Sequence, residues 1–249
     1  MPRPGMDFPR GERFPPTRWS QVLLAATREA TAERQGALAD LCGSYWDPLY
    51  AFARHMGYSA DDARDLTQGF FAVLLEKEYL QEADRKRGKF RSFLLAAFKH
   101  YIANENDRAR ARKRGGGQTP LAIEPHAAEE WYRAEPADDR TPEKIFELRW
   151  ALTVLHRALA RVRAEYAARG QREYFAHLEG VLMGEERAIP YGRIAAELGT
   201  SEGALRVAAH RLRQRFRAQL RSEVGQTLAD PQQADEEIRY LLAAVGRRG

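Results

Sequence analysis

Cysteine is almost absent from this chain: Cys42 is the single one in 249 residues. One thiol closes no internal disulfide and builds no zinc cluster, so neither device organises the fold and no metal or redox cofactor is expected. Its neighbours Leu38, Leu41 and Tyr45 mark Cys42 as a small core residue. Long apolar runs are missing too. The best candidates, Val22 to Ala26 and Phe93 to Phe98, fall far below the ~18 residues of a bilayer span, so no membrane partner is expected. The opening, Met1 to Pro9, has no apolar core of a secretory signal, and a cytoplasmic location is expected. Also lacking is any β-branched stretch of alternating polarity, which leaves Ala, Leu, Arg and Glu to dictate an all-α fold.

What is present is charge, and its distribution is uneven. With 44% hydrophobic and 30% charged residues the chain lies in the globular range, and a net charge of +5 goes with a pI near 9.4. From Asp84 to Arg114 eleven Lys/Arg face three acids, a local charge of +8; from Arg193 to Arg221 seven Arg face two acids, or +5. Between them Glu124 to Glu147 carries −5, and Asp61 to Glu82 carries −4. Two basic blocks on either side of an acidic one point to two places where a polyanion binds.

Helical punctuation divides the chain further. Thr17 or Ser20 can cap a first helix, a second runs from about Glu33 to Tyr45, and Pro48 suits the first turn of a third that Gly57 ends. Ser59 before Ala60, Asp61 and Asp62 is an N-cap with acids where the helix dipole favours them. Phe90, Phe93, Leu94, Ala97, Phe98, Tyr101 and Ile102 form an apolar stripe whose opposite face grows basic toward Arg108, Arg110 and Arg112. The aromatic members of that stripe read as core. Helix resumes at Pro142 after Thr141, Gly170 and Gly180 are candidate breaks, and a last amphipathic helix spans about Asp235 to Val245. The expected organisation is a disordered N-terminus (1–16), a helical domain (17–114), an acidic Gly/Pro linker (115–141), a second helical domain (142–222) and a tail (223–249).

The sharpest motif runs from Tyr191 to His210. Ile194 and Leu198 face inward, Ala195 is small where helices approach, Gly199 supplies a tight turn, Thr200 or Ser201 caps a second helix, and Leu205 and Ala208 fix it to the first. This spacing predicts a helix-turn-helix, with Arg206, His210, Arg211 and Arg213 outward.

A second motif joins the acidic helix Asp61 to Glu76 to the segment Lys89 to Arg108. The pair resembles region 2 of sigma-70 family factors of the extracytoplasmic-function type, and the helix-turn-helix resembles region 4 of the same family. Order and separation match, and the two blocks cover about half the chain. The resemblance implies a non-enzymatic subunit that binds bacterial RNA polymerase core and directs transcription initiation at promoter DNA. It implies polymerase contacts at Asp61, Asp62, Asp65 and Gln68. It implies −10 contacts at Arg85, Lys86, Arg87, Lys89, Lys99, His100, Asn104, Arg108 and Arg112, and −35 contacts at Ser201, Arg206, Val207, His210, Arg211 and Arg213. An inhibitory anti-sigma partner is a further partner that the family admits; no small-molecule substrate is expected. The sequence departs from the family pattern at Arg64, where an acid is usual, at Val207, where a polar residue is usual, and in the longer stretch Arg161 to Ile189. The tail is an addition, readable as an intramolecular latch, as a partner-binding helix or as plain packing. A stand-alone helix-turn-helix regulator with a sensing or dimerising N-terminal domain is the alternative. An enzyme of the helical phosphohydrolase kind is disfavoured, because no histidine stands at metal-ligand spacing from the Asp61 cluster.

Overall fold

The computed structural model describes residues 32–76, 89–112, 140–182, 191–228 and 230–246. The expected first helix, the basic loop with Arg85, Lys86 and Arg87, and nearly all of the acidic linker lie outside them. Among the described residues every regular element is helical: α1 (Ala32–His55), α2 (Ala60–Glu76), α3 (Phe90–Arg112), α4 (Pro142–Ala168), α5 (Arg172–Leu182), α6 (Tyr191–Glu197), α7 (Glu202–Gly225), a 3-10 turn (Pro231–Gln233) and α8 (Ala234–Gly246). None of them is long and apolar enough to cross a membrane.

Local chemistry explains most of the boundaries. Gly57, at φ +94°, ends α1, and Tyr58 N–H reaches back to the Ala53 carbonyl. The Ser59 hydroxyl accepts from Asp62 N–H at 3.1 Å and donates to the Asp62 carboxylate at 2.6 Å, which caps α2. Thr141 caps α4 with Pro142 in the first turn, and Gly170, at φ +72°, follows its end. Two expectations fail. Pro48 does not start a helix: α1 runs straight through it. The missing backbone donor and ring clash cost about 3 kcal/mol, but burial of Leu41 and Tyr45 and of the whole turn that holds Leu49, Tyr50, Phe52 and Ala53 outweighs this. Nor does Gly180 break the chain, since α5 continues to Leu182 around a buried Phe175 and Leu178.

Two apolar cores result. The first gathers α1, α2 and α3, with Phe70 against Phe98 at 5.0 Å between ring centroids. At Gly69, α2 comes close to α3: a Cβ there would overlap the Tyr101 hydroxyl, so the tyrosine ring would have to shift. Phe90 and Phe98 are fully buried, as the apolar stripe predicts. The second core holds Leu159, Val162, Phe175, Leu178, Ile194, Ala195, Leu205, Ala209 and Leu212.

The cores meet within two helices. Phe146, Trp150, Val154 and Ala158 of α4 enter the first core, whereas Leu159 and Val162 enter the second. Helix α7 does the reverse: Leu205, Ala209 and Leu212 lie in the second core, Leu220 and Val224 in the first, and Phe216 touches both. With 27 and 24 residues, these helices are about 40 and 36 Å long and act as shared struts. Between them Glu223, fully buried, pairs with Arg161 at 2.7 Å and Arg157 at 3.6 Å. The tail helix α8 closes the assembly through buried Ala234 and Leu241 and half-buried Ile238 and Val245, leaving Leu242 exposed.

Candidate nucleic-acid and partner surfaces

The helix-turn-helix forms as its spacing requires. Helix α6 ends at Glu197, Gly199 turns the chain at φ +60°, and Ser201 caps α7 by accepting from Ala204 N–H at 3.2 Å. That engagement makes Ser201 first a structural cap. Ile194, Ala195 and Leu205 are buried as expected; Ala208 is half-buried and packs against the same core, and Ala209 is fully buried beside it. Arg206, Val207, His210 and Arg211 are exposed together on one face of α7, and Arg213 is half-buried to the side.

That face is already ordered by its neighbours. Arg206 donates from Nε and Nη2 to one oxygen of Glu202, at 3.1 and 2.6 Å, and its guanidinium lies 5.0 Å from the ring centre of Tyr191 on α6. The His210 ring nitrogen is 3.0 Å from the Gln214 amide nitrogen. Beside this face opens a cleft of about 830 Å³, where the corner of α4 and α5 brings Arg169, Gln171 and Tyr174 near Val207 and Arg211. Sequence reasoning missed these three, because they belong to the surface only once α5 packs on α7. The sole signal was the Arg and Gly cluster at the corner.

On α2, Asp61, Asp62 and Asp65 are exposed and Gln68 is half-buried. Asp61 pairs with Arg64 at 2.8 Å, and Asp62 is held by Ser59. Asp65 has no ion pair or hydrogen bond among the described residues, so its carboxylate is the available one of the three.

The expected −10 residues divide into two groups. Lys89 pairs with Glu237 of α8 at 2.6 Å and lies 5.4 Å from the Tyr240 ring centre. Arg91, buried and stacked 4.5 Å from the Trp150 ring centre, pairs with the same carboxylate. The α8 chemistry was not legible as a partner of this segment, since Glu237 stands nearly 150 residues away in sequence. Lys99 donates to Glu143 at 2.5 Å, and this hydrogen bond holds the Glu143 carboxyl below the usual carboxylate range. His100 and Asn104 are exposed on the polar face of α3; Arg108 pairs with Glu105 at 2.5 Å, and Arg112 is the last residue of the helix. The amide that reaches the first bundle is Asn106, which donates to the Tyr58 hydroxyl at 2.8 Å.

Among the described residues no group of three or more His, Cys, Asp or Glu is arranged to hold a metal ion. Burial pushes the Cys42 thiol up to about 11, which makes it inert rather than nucleophilic. Comparison with protein-family models, with curated proteins and with solved structures returned no match to this chain.

Proposed function

We propose that this protein is a promoter-specificity subunit of the sigma-70 family type, which binds RNA polymerase core and reads promoter DNA without catalysing a reaction. The observation that carries the reading is the face of α7, where Arg206, His210 and Arg211 stand exposed on the second helix of a capped helix-turn-helix. Arginine suits guanine O6 and N7, and Val207, 50% exposed between them, suits a thymine methyl. The exposed face of α3 with His100 and Asn104 provides a second DNA surface, for the −10 element. The acidic face of α2 around Asp65 offers a basic partner surface its complement, as docking on polymerase requires.

The test is reconstitution with core polymerase. The wild-type chain forms holoenzyme and starts transcription from its promoter; Asp65→Arg, a charge reversal at an exposed position, abolishes both while circular dichroism stays native. Unchanged holoenzyme formation by Asp65→Arg removes α2 as the docking face.

The stand-alone regulator remains the second reading, favoured by one observation: α4 and α7 share residues between both cores, so the two candidate DNA surfaces belong to one packed body. A palindromic footprint without polymerase supports the regulator. Two protected sites, about two helical turns apart and seen with core polymerase alone, support the specificity subunit.

A further inference from the structure

We propose that Glu202 and Tyr191 are positioning residues that present Arg206 end-on to a guanine, and so set the base preference of the α7 face; the inference rests on the DNA-reading role proposed above. Glu202 occupies the first position of α7, one turn before Arg206 and on the same face. One of its carboxylate oxygens, Oε1, accepts from both Nε–H and one N–H of Nη2. Tyr191, from the start of α6, covers one face of the guanidinium. An arginine carries five N–H donors in a rigid plane. With the Nε edge occupied and one face covered, three donors remain, two on Nη1 and one on Nη2, and one N–H from each nitrogen lies at the tip. That pair matches the spacing of guanine O6 and N7 in the major groove.

The arrangement has little value for stability. The side chains are 63% and 49% exposed, and an ion pair this open contributes little to folding. Its consequence lies in recognition: a free arginine side chain loses rotamer freedom on docking, whereas this one is already fixed against two partners, one of them across the turn. Glu202 also opposes phosphate by its charge. Its presence therefore weakens binding to DNA in general while sharpening the choice of base, and these two effects separate a positioning role from a merely structural one.

The experiment is selection of bound sequences by reconstituted holoenzyme from a library randomised in the −35 segment, with full-length chains. The wild type is expected to prefer guanine at one position, and Arg206→Ala to lose that preference. Glu202→Gln, nearly isosteric, is expected to reduce it about fivefold or more at that position alone, and to bind non-cognate DNA at least as tightly at low salt. Tyr191→Leu is expected to weaken the same preference and Tyr191→Phe, which keeps the ring, to retain it. If Arg206→Ala abolishes the preference while Glu202→Gln keeps it in full, Glu202 is not a positioning residue and the DNA-reading role survives. A uniform loss of binding on every sequence by Glu202→Gln would also overturn the inference. If the wild type shows no base preference in this segment, the DNA-reading role of α7 fails first.

Discussion

Replacing Glu237 with alanine tests the clasp between the tail helix and the first core most directly. The Glu237 side chain is 5% exposed and that of Arg91 is 3% exposed, so the pair is desolvated on both sides. Alanine at 237 leaves the Arg91 guanidinium against Trp150 without its counter-charge. Removing one member of a buried pair costs about 3–5 kcal/mol, because the remaining charge stays out of water. Lys89 matters less: its side chain is 41% exposed and turns to solvent when its partner goes. Alanine's better helix propensity returns a few tenths of a kcal/mol at most. The expected loss is therefore about 3 kcal/mol or more, a large share of an ordinary domain's stability. At about 2–4 °C per kcal/mol for a chain of this size, a loss of about 3–5 kcal/mol should lower the thermal midpoint by about 6–20 °C. Urea denaturation followed by helical circular dichroism measures the loss. The double variant Glu237→Leu with Arg91→Met, apolar and similar in volume, should recover most of it, since a well-packed apolar pair replaces a buried ion pair at little cost. A loss below about 1 kcal/mol in the single variant, or a double variant no more stable than the single, would refute the clasp.

Two further outcomes are expected. Under the proposed promoter-reading role, Arg211→Ala should lose on the order of 1–3 kcal/mol on the −35 sequence and relax the choice at one base pair, measured by fluorescence anisotropy of the reconstituted complex with core polymerase on a set of single-base variants; equal loss on all of them would make Arg211 a phosphate contact. Burial pushes the Tyr101 hydroxyl up to about 12 from its ordinary 10. Between these values the unfolded chain releases the proton that the folded chain keeps, so stability falls as pH rises through that window. Tyr101→Phe should flatten this alkaline loss in denaturation curves taken between pH 9 and 12, and an unchanged slope would assign the loss to other groups.

How much of this was written in the sequence varies by element. The helix-turn-helix was legible because its determinants are local: Gly199 supplies φ > 0, Ser201 caps the next helix, and apolar residues at helical spacing face one way. The ends of α1, α2 and α4 were legible for the same reason, through Gly57, Ser59 and Thr141. Local rules misled at Pro48 and Gly180, where burial of a helix face against other helices outweighed a breaking residue. Exposure of Asp65 followed from its place early in α2, but the engagement of its neighbours Asp61 and Asp62 followed from local pairs and caps.

Tertiary structure decided the rest. The sequence by itself determined an all-helical chain with two basic segments, an acidic helix and a helix-turn-helix, since composition and near-neighbour spacing suffice for these. It did not determine that Lys89 and Arg91 share Glu237, that Glu223 lies buried between Arg157 and Arg161, or that α4 and α7 each serve two cores. Those contacts join residues tens to well over a hundred positions apart, and a charge pattern along a chain does not say which opposite charges will be desolvated together. Only packing selects the partner, because the cost of burying a charge is met where the folded helices bring its counter-charge within hydrogen-bonding distance.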